Sequence, residues 1–132
     1  MKKLEVSAGI IINKDKILCV QRDKGKYDYI SYKFEFPGGK VEEGEDSKEA
    51  LRRELMEEMQ MDIKLESMKH FMTVQHEYPD FEITMHSYIC LNEQPEFVLM
   101  EHIDHKWLRA EELGGLDWAA ADLPIVHALV NS

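Results

Sequence analysis

Residues 38–61 read "GGKVEEGEDSKEALRRELMEEMQM", and the second half of that stretch is the key to the rest. Leu51, Leu55 and Met59 recur every four residues, the spacing of an apolar stripe on an α-helix. Glu54, Glu57 and Glu58 fall at i, i+3 and i+4. The same helix therefore carries three carboxylates on one face, within an arc of about 100°. Like charges at that spacing cost an isolated helix about 0.2–0.5 kcal/mol per pair. Either the face is simply solvated, or cations come to occupy it. Upstream, Asp46 followed by Glu49 is a capping-box pattern. Before it, Gly38-Gly39 supplies backbone that can approach closely whatever the acidic face holds.

Working outward, the chain has 132 residues, enough for one domain spanning 1–132 with a real core. Hydrophobic residues make up 44% and charged residues 32%, an ordinary globular mix. The apolar runs "AGIII" and "FVLM" are far too short to span a bilayer, so no membrane partner is expected. The opening "MKKLEVSAGIII" is interrupted by Glu5 and reads as a strand rather than a signal peptide. Net charge is −10, which argues against a polynucleotide partner, since such a groove needs a basic surface. A small anionic substrate needs local positive charge or a metal to receive it. The two cysteines, Cys19 and Cys90, each lie inside an apolar run and read as buried packing in a reduced, cytoplasmic protein.

The local patterns give an element order. "LEVSAGIIIN" and "KILCVQR" are β-branched runs separated by Lys14 and Asp15, a hairpin. "DKGKYDYISYK" is a polar and aromatic surface loop. "KFEFPGG" alternates and stops at Pro37-Gly38-Gly39. Two further strands are expected over 62–76 and 81–91, turning at Pro79-Asp80. In the second, Phe81, Ile83, Met85 and Ile89 alternate with Glu82, Thr84, His86 and Tyr88. "HIDHKWLR" is a short strand, and "AADLPIVHALVNS" a closing helix with Pro124 in its first turn. Strands, helix, strands, helix make a mixed sheet with helices packed on it, α/β in the broad sense or α+β.

The stretch 39–61 resembles the Nudix box, whose pattern is Gly, five residues, Glu, seven residues, then Arg-Glu-apolar-any-Glu-Glu-any-Gly-apolar. Gly39, Glu45, Arg53, Glu54, Leu55, Glu57, Glu58 and Met61 fall in register. Gln60 departs, standing where the pattern has glycine. The chemistry suits the spacing: cleaving a pyrophosphate linkage requires charge to be neutralised on attacking and leaving oxygens, which divalent cations on a row of carboxylates can do. Arg53, at i−4 from Glu57, can orient that carboxylate.

The likeness extends over nearly the whole chain, through "EFPGGK", "HEYPDFEITMHSYIC" and "WLRAEELGGLDWAAADLPIV", to the MutT-like and CTP pyrophosphohydrolase-like branch. It implies the Nudix fold, a mixed sheet between helices, and a Mg²⁺-dependent hydrolase, with Mn²⁺ as substitute, converting nucleoside triphosphates to monophosphate and pyrophosphate. By the same resemblance, Gly38, Glu54, Glu57, Glu58 and Glu101 match metal-site positions, and Glu54 the water-activating one, with Arg53 in the catalytic box. Arg22 and Lys40 match phosphate contacts, and Asp122 a base contact. Asp122 also stands where a carboxylate would cap the last helix. Tyr78 is either a base-stacking residue or packing at a strand end. His102 and His105 form HxxH without a second ligand pair, a weak zinc signal. The alternatives are an ADP-sugar or dinucleoside polyphosphate hydrolase, or a non-catalytic nucleotide sensor. Oligomeric state is left at monomer or homodimer.

Overall fold

The computed structural model describes residues 1–93 and 96–132. Its elements are β1 (Lys2–Asn13), β2 (Lys16–Gln21), β3 (Phe34–Glu35), β4 (Gly38–Lys40), α1 (Ser47–Met59), β5 (Met68–Glu77), β6 (Phe81–Leu91), β7 (Asp104–Leu108) and α2 (Leu123–Val130). Short 3₁₀ turns occupy Leu65–Ser67, Ala110–Gly115 and Ala120–Asp122. This is the mixed α and β class expected.

The seven strands form one mixed sheet whose main path runs β3-β2-β1-β6-β5, with β4 added to β1 and β7 to β2. β1 and β6 pair in parallel along their length, from Lys2↔Phe81 to Ile12↔Leu91. On its other edge β1 forks. Lys14 and Asp15 both take positive φ, 49° and 67°, as a tight two-residue hairpin requires, and β2 pairs with β1 only at Ile12↔Ile17 and Asn13↔Lys16. Further back along β1 the partner is β4, through Val6↔Lys40, Ser7↔Gly39 and Ala8↔Gly38. Gly38 is needed there: a Cβ would lie 2.0 Å from the Ser7 carbonyl oxygen. The fork brings the glycine loop against the sheet beneath α1.

Both faces of the sheet are covered. Ile11, Leu18, Val20 and Cys90 pack under Leu51, Leu55 and Met59 of α1. Ile10, Ile17, Cys19 and Met85 belong to the opposite core with Ile125, Val126 and Leu129 of α2. Neighbours Ile10 and Ile11 thus face opposite ways, which is why β1 reads as a continuous apolar run rather than an alternating one. Tyr88 differs from expectation. Grouped by alternation with the polar residues of β6, it is buried under α1, where its hydroxyl meets the Ser47 hydroxyl. The strand expected from residue 62 starts only at Met68, after the 3₁₀ turn, and carries an irregularity between His70 and Met72. Both cysteines are buried and unpaired, and burial pushes each thiol up to about 12.

α1 begins where the sequence indicates. The Asp46 carboxylate accepts the Lys48 N–H at 3.0 Å. This is an N-cap bond to the second helical residue; neither bond of the expected Asp46–Glu49 capping box is seen among the described residues. At the other end Gln60 sits at φ 53°, ψ 34°, in left-handed backbone, with Gln60 N–H reaching Met56 O, the single bond of an αL cap, and Met61 N–H reaching Leu55 O.

Candidate active site

The acidic face of α1 is organised by Arg53. Its Nε and Nη2 donate to the two Glu45 oxygens at 2.8 and 3.0 Å, Nη1 donates to Glu54 at 2.9 Å and Glu57 at 3.2 Å, and Nη2 also reaches Lys40 O at 2.9 Å. The ion pair with Glu57 expected from the i+4 spacing is present, yet Glu45 is the closest partner. The guanidinium pulls Glu45 down to about 2 by direct hydrogen bonding. Arg53 was expected in a catalytic role. With all its nitrogens spent on the protein, it positions the carboxylates and does not line the cleft described next.

That cleft, about 790 Å³, brings together most of the other expected residues: Arg22, Gly38, Lys40, Glu54, Glu57, Glu58, Tyr78, Glu101 and Asp122. Glu58 lines the cleft, and Glu54 stands at one end of it beside Gly39, whose lack of a side chain matters. A Cβ there would lie 2.3 Å from the Glu54 carboxyl carbon. The floor is apolar, formed by the register pairs Leu4↔Ile83 and Val6↔Met85 of β1 and β6. Ile83 and Met85 are read from the sequence as one apolar strand face, but no residue of this floor is assigned there to the site. Alternation marks these side chains as inward-facing, but not which of them α2 leaves uncovered.

The carboxylate end holds unbalanced charge. Burial pushes Glu58 up to about 9, and Glu54, by hydrogen bond and charge, then Glu101 and Glu35 push the same way. Without a cation nearby, one of these acids has to keep its proton. Among the described residues no three His, Cys, Asp or Glu side chains already enclose a metal-sized point; Arg53 draws Glu54 and Glu57 towards itself. The donor set is nonetheless one of hard oxygens crowded beyond what they can bear as anions, which fits a divalent cation.

At the other end, Asp122 is 2% exposed and accepts the Phe36 N–H at 3.0 Å. It does not cap α2: although it precedes the helix, its side chain makes no bond to the first turn. The 3₁₀ turn Ala120–Asp122 swings it inward instead. Burial, and then the charge of Glu35, hold it well above the ordinary carboxylate range. Tyr78 is buried, its hydroxyl accepting the Ala121 N–H at 2.9 Å and its ring stacked on Tyr29 at 5.2 Å. The loop between β2 and β3 is therefore not loose; Tyr27 and Tyr29 stack on each other, and Tyr29 donates to Asp80 at 2.9 Å.

The two histidines of HxxH go to different partners. His105 sets its ring edge against Phe97, while His102 donates from Nε2 to Glu35 at 2.9 Å. Glu35, which also takes Arg22 Nη1 at 3.2 Å, lines the cleft and was missed in the sequence.

Comparison with known proteins agrees with this geometry. The NUDIX domain model matches residues 7–128. The chain belongs to the Nudix family and is a hydrolase of phosphoric anhydride bonds. It is 31% identical over 129 residues to an 8-oxo-dGTP diphosphatase of Escherichia coli strain K12, covering 98% of both chains. It is 32% identical over 130 residues to the CTP pyrophosphohydrolase of the same organism, covering 98% of this chain and 93% of that one. The solution structure of the E. coli ORF135 protein superposes with a TM-score of 0.83 at 32% identity, covering 99% of this chain and 91% of the other.

Proposed function

We propose that the protein is a Mg²⁺-dependent nucleoside triphosphate pyrophosphohydrolase, adding water across the anhydride bond between the α- and β-phosphorus to give a nucleoside monophosphate and pyrophosphate. The observation that carries this reading is a single cleft with a carboxylate face at one end and an apolar floor with a buried hydrogen-bonding Asp122 at the other. A triphosphate needs the first end and a nucleobase the second.

Glu54, Glu57, Glu58 and Glu101, with the Gly38 carbonyl, would hold the cation. When bound there, Mg²⁺, or Mn²⁺ in its place, neutralises phosphate charge and activates water. Glu54 is the base of choice for that water, because Gly39 and Arg53 hold it in place. Arg22 and Lys40 line the same cleft and supply the cations for the phosphates. Tyr78, with its ring on Tyr29, serves as a wall of the base pocket. Retention of every box carboxylate speaks against a non-catalytic sensor. The reading takes the enzyme as cytoplasmic, with buried free thiols suited to a reduced compartment, acting as monomer or homodimer.

The candidate substrates are 8-oxo-dGTP and CTP or dCTP, since relatives with both activities are about equally similar. The test is product analysis with Mg²⁺ across CTP, dCTP, dGTP, 8-oxo-dGTP, UTP, dATP, an ADP-sugar and a dinucleoside polyphosphate. Pyrophosphate and monophosphate from a triphosphate support the reading. Turnover confined to the last two substrates would transfer the protein to the alternative hydrolase class.

A further inference from the structure

We propose that His102 is a positioning residue: through one shared carboxylate, Glu35, it ties the placement of Glu101 to that of Arg22. This rests on the proposed function, in which Glu101 serves the cation and Arg22 the phosphates.

Glu35 ends β3, Arg22 follows β2, and His102 precedes β7, three strands that lie side by side. Glu35 divides its two oxygens between the other two. Oε1 takes Arg22 Nη1 at 3.2 Å, and Oε2 takes His102 Nε2 at 2.9 Å. The His102 side chain is 6% exposed and that of Glu35 19%, so the contact is shielded from competing water. It needs only a proton on Nε2, which the neutral ring can carry as well as the charged one.

The segment that carries His102 has no regular secondary structure. It is strung along the molecule by backbone bonds from Val98 to Met59 O, Met100 to Glu58 O and Ile103 to Gln21 O, each 3.0 Å long. Glu101 is exposed on this strap, next to His102. The His102 side chain is thus a latch that fixes the strap where Glu101 must face Glu58. The same latch engages one Glu35 oxygen and leaves the other for Arg22. Two buried atoms, Arg22 Nε and His102 Nδ1, have no partner among the described residues. Among the described residues the only side-chain hydrogen bonds of Arg22 and His102 are those to Glu35, so loss of that carboxylate frees both side chains while the backbone bonds of the strap remain.

The prediction separates His102 from a residue that merely stabilises the fold. Support residues of this kind typically change metal affinity or activity by about 10–100-fold. In His102→Ala, the Kd for Mn²⁺, followed by electron paramagnetic resonance of free Mn²⁺, should rise about tenfold, and KM should rise more than kcat falls. His102→Gln, whose amide can take the place of Nε2–H, should restore both. In the His102→Ala background, Arg22→Ala should raise KM less than it does in the parent, because the two share Glu35. A folded His102→Ala with Mn²⁺ affinity and KM within twofold of the parent would overturn the proposal. So would a His102→Gln that regains thermal stability but neither parameter. If His102→Ala does not fold, His102→Gln and Glu35→Gln are compared: Mn²⁺ affinity kept in the first and lost in the second supports the latch, and equal affinities refute it. Failure of the parent to cleave any triphosphate would instead remove the proposed function, and the Mn²⁺ titration would still decide the latch.

Discussion

The Asp122 carboxyl accepts the Phe36 amide across the interior, at 3.0 Å, with Asp122 only 2% exposed. The consequence for base choice is chemical. An ionised carboxylate only accepts hydrogen bonds and would favour a base edge rich in donors, such as the cytosine amine. Burial favours the protonated form, which also donates and opens the site to a carbonyl edge. Asp122→Asn, an amide that likewise donates and accepts, should keep the ranking of CTP, dCTP, dGTP, 8-oxo-dGTP, UTP and dATP. Asp122→Ala should flatten the ranking by tenfold or more, since an unpaired buried polar group costs about 1–3 kcal/mol. Retention of the ranking in the alanine variant would take Asp122 out of recognition.

Glu58 couples pH to stability. Its proton is held more tightly in the folded chain, with a value pushed up to about 9 from an ordinary 4.5. The linked stability is fully present below the ordinary value and is lost as pH rises through the folded one. In chelator, melting temperature should therefore decline from about pH 5 to pH 9 more steeply in the parent than in Glu58→Gln, with Mg²⁺ lifting the parent at the alkaline end. Glu58→Gln and Glu57→Gln should lower turnover by orders of magnitude while keeping the fold. Full parental turnover in excess chelator would refute metal dependence.

Gln60 is a non-glycine residue at φ 53° in an αL cap. Left-handed backbone costs an L-residue about 1–2 kcal/mol. Gln60→Gly should stabilise the protein by about 1 kcal/mol, read as a rise in denaturation midpoint, with little change in rate. A fall in the midpoint would show that the Gln60 side chain contributes more than its backbone costs.

Arg22 lies in the cleft, with one nitrogen on Glu35. Because the chain carries net charge −10, local cations have to receive the substrate. Arg22→Ala should raise KM more than it lowers kcat if the contact is equally strong in the ground and transition states. An unchanged kcat/KM would leave Arg22 as a structural partner of Glu35.

What could be read from the sequence was whatever depends on short spacing. The stripe of Leu51, Leu55 and Met59, the acidic face beside it and the Lys14-Asp15 hairpin are set by neighbours within a turn or two, and all three are found in the structure. Residues brought together by long-range pairing were legible only where the family resemblance named them. Leu4 and Ile83 become a floor only because β1 and β6 run parallel in one register. Glu35 gains meaning only beside Arg22 and His102, which come from different strands. Asp122 looked like a cap because it precedes Pro124. A single 3₁₀ turn redirects it, and such turns leave little trace in composition. The buried Tyr88 was misplaced for a related reason, since alternation cannot report a strand covered on both faces.

The parallel pairing of β1 with β6 also sets the order in which the molecule can be assembled. Lys2 finds its partner at Phe81 and Ile12 at Leu91, with the hairpin, the glycine loop and α1 all lying between them in the chain. β1 leaves the ribosome before β6 and is completed only by it, and until then one edge of its apolar run stays unpaired. Closing so long a loop is slow compared with forming α1 or the hairpin. The carboxylate helix can exist early in synthesis, but the floor opposite it arrives only with β6, so the candidate cleft is completed only after β6 has paired.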